Sequence, residues 1–136
     1  MIENFEAASI IRGSNEDFGY IFGLTEADKI YNEKLKYYGS PFICTTADGE
    51  VALRTHTFSK NYPVPRIETV STIGAGDTFN AGILFGLIHE NVYYDDLATL
   101  PEVTWDKVVS YAIRFSAQVC QSYQNYVSNE FAQSVK

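Results

Sequence analysis

Four residues near the middle of the chain, Gly74-Ala75-Gly76-Asp77, decide most about its fold. Apolar residues Phe79, Leu84, Leu87 and Ile88 follow, and their spacing predicts a helix over residues 75–89. Ahead of the glycines, Tyr62-Pro63-Val64-Pro65 is extended by its prolines and leads into an expected strand over 66–70. A strand, a glycine turn and a helix in that order aim backbone amides at an anion. Glycine permits close approach and positive φ. The unpaired N–H groups of the first helical turn, at the positive end of the helix dipole, then receive a phosphate. Asp77 in such a turn would repel a phosphate that is merely held. It makes sense as a base that takes a proton from a hydroxyl while the amides hold the phosphoryl group under attack. The residues alone leave a second reading open, in which Asp77 is an ordinary cap on an ordinary glycine turn. No G-x-x-x-x-G-K-[ST] loop is present. The glycines also miss the G-x-G-x-x-G of NAD-binding oxidoreductases, because the third would fall on Phe79, which argues against that class.

The rest of the chain alternates strand and helix signals, which makes the class α/β. Residues 7–12 contain a short apolar run suited to a buried strand, and Ser14-Asn15-Glu16-Asp17 opens a helix through Phe22. Ser14 and Asp17 have capping-box spacing, a role that needs no metal. Residues 25–38 predict a second helix, with Thr25 and Asp28 at the same spacing and Gly39 and Pro41 as the stop. Residues 42–46 and 51–58 flank Asp48-Gly49 and read as a β-hairpin with a tight turn. Residues 93–101 connect to a long amphipathic helix marked by Trp105, Val108, Ala112, Phe115 and Val119, and 129–135 read as a short last helix.

The 136 residues suit one domain, 1–136, with a substantial core. With 10 Lys and Arg against 17 Asp and Glu, the net charge of −7 argues against non-specific nucleic-acid binding. Cys44 and Cys120 have no C-x-x-C spacing, and His56 and His89 stand far apart, which argues against a disulfide framework and against zinc. No apolar run reaches membrane-span length, and the first residues lack a signal pattern, so a cytoplasmic protein with no membrane partner is expected.

The segment Ser71-Thr72-Ile73-Gly74-Ala75-Gly76-Asp77-Thr78-Phe79-Asn80-Ala81-Gly82 resembles the C-terminal signature of the ribokinase-like (PfkB) carbohydrate kinases, D-T-x-G-A-G-D-x-F followed closely by glycine. Residues 10–18 are similar to the family's strand and N-x-x-E segment, in the style of the fructokinase-like members. Residues 43–49 resemble the strand and loop before the nucleotide site, and 115–125 the helix that closes over the adenine. The resemblance implies the C-terminal portion of a ribokinase-like three-layer sandwich, with a β-hairpin and helices flanking a partial sheet.

It also implies an ATP-dependent sugar kinase, with a sugar, ATP and Mg2+ as partners. Asp77 would be the base, and the amides of Gly74, Ala75 and Gly76 the anion hole. Thr46, Gly49 and Asn125 would fall at the nucleotide. Asp17, one carbon shorter than the family's Glu, would reach magnesium through water, with Ser14 in place of the usual Asn. Three residues depart from the pattern. Ser71 replaces the Asp that helps bind the monovalent cation in potassium-activated members, so the resemblance does not extend to that cation. Thr46 replaces the first glycine of T-x-G-x-x-G, and Ser122-Tyr123-Gln124-Asn125-Tyr126 replaces the usual Gly-Ala. Family members run to about 300 residues, so the chain matches only their C-terminal part. Two expectations follow. The chain is a non-catalytic nucleotide-binding or structural fragment that assembles with another chain, or it is the catalytic portion of a sugar kinase. In either case an exposed sheet edge should make it a homodimer, inactive alone.

Overall fold

The computed structural model describes residues 2–46 and 49–135, and these form two compact units. The first comprises Met1–Val64 with Tyr94–Leu100. It begins with α1 (Ile2–Ala7), which lies ahead of the strand expected over 7–12. The strand itself is β1 (Ile11–Ser14), followed by α2 (Asn15–Phe22). Ser14 caps α2 and Gly23, in the left-handed region at φ 70°, ends it.

The expected helix over 25–38 is broken into three pieces. These are α3 (Ala27–Ile30), a π-helical turn (Tyr31–Leu35) and a 3-10 turn (Lys36–Tyr38), stopped by Gly39 at φ 79°. At regular α spacing Ile30, Tyr31 and Leu35 would spread over about 140° of arc. The wider turn gathers all three toward the core, where they are buried. The Thr25–Asp28 box does not form. Glu26 is the N-cap, without a side-chain bond, and the Asp28 carboxylate turns instead to Arg54.

Strands β2 (Phe42–Thr45), β3 (Glu50–Arg54) and β4 (Ser59–Pro63) complete a four-stranded sheet in the order β1-β2-β3-β4. β1 and β2 are parallel, pairing Ile11 with Phe42 and Ser14 with Thr45, and the remaining pairs are antiparallel. The β2–β3 hairpin is as expected, although Asp48 of its turn lies outside the described residues. Gly49, at φ 82°, and a 3.3 Å bond from its N–H to Thr46 O close the loop. The second strand of that hairpin stops at Arg54 rather than 58. Thr55 Oγ1 accepts from the N–H groups of Thr57 and Phe58, and this turn sends the chain back as β4. Phe18, Phe42, Ile30 and Leu35 form the centre of the core, with Phe18 and Phe42 edge to face at 5.1 Å.

The second unit comprises Pro65–Tyr93 and Pro101–Lys136. No strand forms over 66–70. Among the described residues no strand flanks this stretch to complete a ladder, and Val70 and Ser71 donate instead to one carbonyl, that of Cys120. The helices are α4 (Ala75–His89), α5 (Glu102–Cys120) and α6 (Asn129–Ser134). Gly82 and Gly86 bring α4 onto the backbone of α5 at Ala112 and Val108. Phe115 and Phe131, edge to face at 5.2 Å, join α5 to α6. The 93–101 connection, in the first unit from Tyr94 to Leu100, holds a 3-10 turn (Tyr94–Thr99).

Candidate active site

The glycine turn is a hydrogen-bonded turn built on the N-terminus of α4. Gly74 has φ 80° and ψ −3°, and the Ala75 N–H donates to Thr72 O at 3.2 Å. That conformation is the third position of a type II turn, where a side chain is strained and glycine is not. Two hydroxyls hold the turn. Ser71 Oγ accepts the Ile73 N–H at 3.2 Å, and Thr78 Oγ1 donates to Gly74 O, which also accepts the Thr78 N–H at 2.9 Å. Ser71 thus shapes the turn although it lacks the carboxylate of the motif. Its S-x-I spacing is the local signal of such a turn. Thr78 is a residue the sequence reading passed over.

The first intrahelical bond of α4 is that of Thr78, so the N–H groups of Gly76 and Asp77 precede the ladder. Of the three amides expected at an anion, Ala75 is shared with Thr72 O, while Gly74 and Gly76 are not in that turn bond. Asp77 is exposed at the third position of α4. No hydrogen bond or ion pair engages its carboxylate among the described residues, so it does not cap the helix.

Asn125 comes to the same place from fifty residues away. A Cβ built on Gly74 would meet Asn125 Cβ at 3.0 Å and its carbonyl oxygen at 3.3 Å. A second tie lies just upstream, where Cys120 O accepts from Val70 N–H at 2.8 Å and Ser71 N–H at 3.3 Å. The loop leaving α5 therefore runs beside the turn. Within the second unit the structure gathers Gly74, Ala75, Gly76, Asp77 and Asn125.

Asp17, Thr46 and Gly49 belong to the first unit. Parallel pairing of Ser14 with Thr45 sets the end of β1 beside the end of β2. The Ser14 backbone N–H and hydroxyl donate to Asp17 Oδ2 at 2.8 and 2.7 Å, and Asp17 N–H donates to Ser14 Oγ at 3.1 Å. These are a complete capping box. The backbone bond from Ser14, then its hydroxyl, holds the Asp17 carboxyl below its ordinary range, with a smaller contribution from Arg12. Thr46 Oγ1 accepts the Glu50 N–H at 3.3 Å and is within 3.4 Å of Glu50 O, so its hydroxyl is engaged in the hairpin.

Among the described residues, no three His, Cys, Asp or Glu side chains gather to hold a metal ion. A magnesium ion that arrives with phosphates needs no such cage, because it keeps several waters. Asp17 is compatible with that outer role, with its Oδ2 engaged by the Ser14 N–H and hydroxyl. Cys44 is buried in the sheet, and desolvation pushes its thiol up to about 11. It is a core residue rather than a nucleophile. No helix among the described residues is long and apolar enough to cross a membrane.

The fold is mixed α/β, with a glycine turn and an exposed carboxylate at the start of α4. This chain belongs to the pfkB family of carbohydrate kinases, whose family model matches residues 2–132. Its fold is ribokinase-like. Fructokinase from Vibrio cholerae O395, solved with fructose, ADP and a calcium ion, is similar at a TM-score of 0.78 and 15% identity, over 91% of this chain and 38% of the fructokinase. Aminoimidazole riboside kinase from Salmonella enterica, solved with its riboside and an ATP analog, is similar at 0.76 and 21%, over 98% and 44%. Arabidopsis thaliana ribokinase, solved with ribose and ATP, is similar at 0.70 and 15%, over 98% and 42%. The chain therefore spans about two fifths of the length of these kinases.

Proposed function

We propose that this chain is the ATP-site portion of a sugar kinase, which transfers the terminal phosphoryl group of ATP to a sugar hydroxyl. The observation that carries the reading is the exposed, unpaired carboxylate of Asp77 at the amide-rich start of α4. Asp77 takes the proton of the acceptor hydroxyl as its oxygen bonds to the γ-phosphorus. The bond from that phosphorus to the bridging oxygen breaks, and ADP leaves. The amides of Gly74 and Gly76, with Ala75 turning from Thr72 O, hold the charge that develops on the phosphoryl oxygens.

Asn125, packed on Gly74, would contact the nucleotide, and Thr46 and Gly49 are nucleotide-binding residues by the family resemblance alone. Magnesium carried by ATP would spread the phosphate charge, and Asp17 would meet it through water. Fructokinase, ribokinase and riboside kinase among the similar structures support a sugar hydroxyl as the acceptor.

Spanning only about two fifths of those kinases favours a second reading for the isolated chain, as a nucleotide-binding or structural piece that assembles with another chain. β1 lies at one edge of the sheet, with Ile11 buried, and offers a strand for symmetric pairing in a homodimer without sugar kinase activity of its own. The protein would reside in the cytoplasm. Titration calorimetry with ATP–Mg and with NAD tests the site. Binding of ATP–Mg alone is expected, and heat only with NAD would overturn the reading. Light scattering with a coupled ADP-release assay on fructose and ribose tests the rest. A monomer with ordinary turnover would refute the assembly.

A further inference from the structure

The peptide unit between Gly74 and Ala75 is held at both ends. Its oxygen, Gly74 O, accepts the Thr78 N–H at 2.9 Å and also the Thr78 hydroxyl. Its N–H, that of Ala75, donates to Thr72 O at 3.2 Å. A peptide is planar, so holding its oxygen and its N–H fixes the plane. Two of these three bonds come from main chain and form in any sequence that makes the turn. The third is chosen by the side chain, because only a hydroxyl at position 78 fills the second lone pair of Gly74 O from there. Such a bond to the carbonyl four residues back is ordinary inside a helix. Here the carbonyl belongs to the N-cap, at φ 80° and ψ −3°, where the chain passes from turn to helix. Gly74 has no Cβ to restrict its dihedrals, so the plane that follows it is the softest point of the turn. The N–H groups of Gly76 and Asp77 come directly after this plane and precede the helical ladder.

We infer that Thr78 is a positioning residue, whose hydroxyl acts through Gly74 O to aim the amides of the turn at a phosphoryl group. This rests on the phosphoryl-transfer reading of the α4 turn and adds the side chain that organises it. Thr78 touches no phosphate itself. When the Ala75 N–H leaves Thr72 O for a phosphoryl oxygen, the plane loses its hold at that end. Thr78 then keeps the peptide in place by its oxygen alone, with two bonds where a residue without a hydroxyl has one. Donors fixed in advance need no reorganisation when they meet charge, so loss of the hydroxyl weakens phosphate binding without loosening the helix pair.

The test compares Thr78→Val, which keeps the branched shape and removes the donor, with Thr78→Ser, which keeps the donor. Titration calorimetry on the full chain with inorganic tripolyphosphate should show the valine variant weakened by about 3- to 10-fold, the worth of one neutral hydrogen bond. The serine variant should stay within about twofold of the parent. Amide NMR spectra supply a second readout. In the valine variant the Gly76 and Asp77 resonances should move while those of α5 stay in place. A valine variant that binds tripolyphosphate within about twofold of the parent would overturn the positioning role. So would equal losses in both variants, which would make the methyl group and not the hydroxyl responsible. Shifts spread along α5 would also overturn it, since Thr78 would then support the helix pair as a whole. A parent chain that binds no tripolyphosphate would instead overturn the phosphate reading of the turn, and the positioning role with it.

Discussion

A Cβ placed on Gly82 would stand 2.5 Å from Ala112 Cα and 2.9 Å from its nitrogen. The α4–α5 contact is therefore backbone against backbone, and α5 cannot yield as a flexible side chain does. Gly82→Ala should push the helices apart and cost about 1–3 kcal/mol, a fall in Tm of about 5–10 °C. Gly86→Ala, 2.9 Å from Val108 Cα, should act in the same direction. Thermal melts followed by circular dichroism measure both, and an unchanged Tm for Gly82→Ala would show that the helices are not so close.

Asp77→Asn keeps the size of the side chain and removes the proton acceptor. In the catalytically complete kinase, kcat should fall by about 10²–10⁴ with ATP affinity little changed. Steady-state assays of ADP release check this. Retention of more than about a tenth of the activity would mean that Asp77 is not the base.

Arg54 is 5% exposed and donates from Nε to Asp28 Oδ1 at 2.6 Å, and from Nη1 to Leu53 O at 2.9 Å and Lys60 O at 3.1 Å. Asp28 itself is 72% exposed at its side chain. The two partners should therefore respond unequally. Arg54→Ala opens a hole and strands two carbonyls, at about 3 kcal/mol, whereas Asp28→Asn keeps an acceptor and should cost about 1 kcal/mol. Urea unfolding of both variants gives the order, and equal losses would contradict it.

Asp17 carries a pH dependence whose sign is fixed by its box with Ser14. Its carboxyl is held below the ordinary range in the folded chain. The associated stability is present above the unfolded value near ~4 and is lost as pH falls through the lower folded value. Asp17→Ala should thus lose about 1 kcal/mol at neutral pH, and the gap to the parent should narrow below pH ~3. Paired melts at the two pH values decide it. A gap that stays constant would remove the ionised carboxylate from the cap.

Features whose partners lie within a few residues were legible in the sequence. The Ser14–Asp17 box, the stop at Gly39, the glycine turn and the extent of α4 are all set by neighbours along the chain, where spacing and residue type suffice. Tertiary structure decided the rest. Thr25 and Asp28 had the same spacing as Ser14 and Asp17, yet Arg54, twenty-six residues on, took the Asp28 carboxylate, because a buried guanidinium needs a counter-charge more than an exposed helix end needs a cap. Residues 66–70 had strand character but, among the described residues, no strand beside them, and the amides of Val70 and Ser71 went to Cys120 O. Asn125 met Gly74 only because two helices packed at Gly82 and Gly86 carry the loop back to the turn. A helix cap is closed by the residues that make it, whereas a strand or a binding site exists only when distant segments are brought side by side.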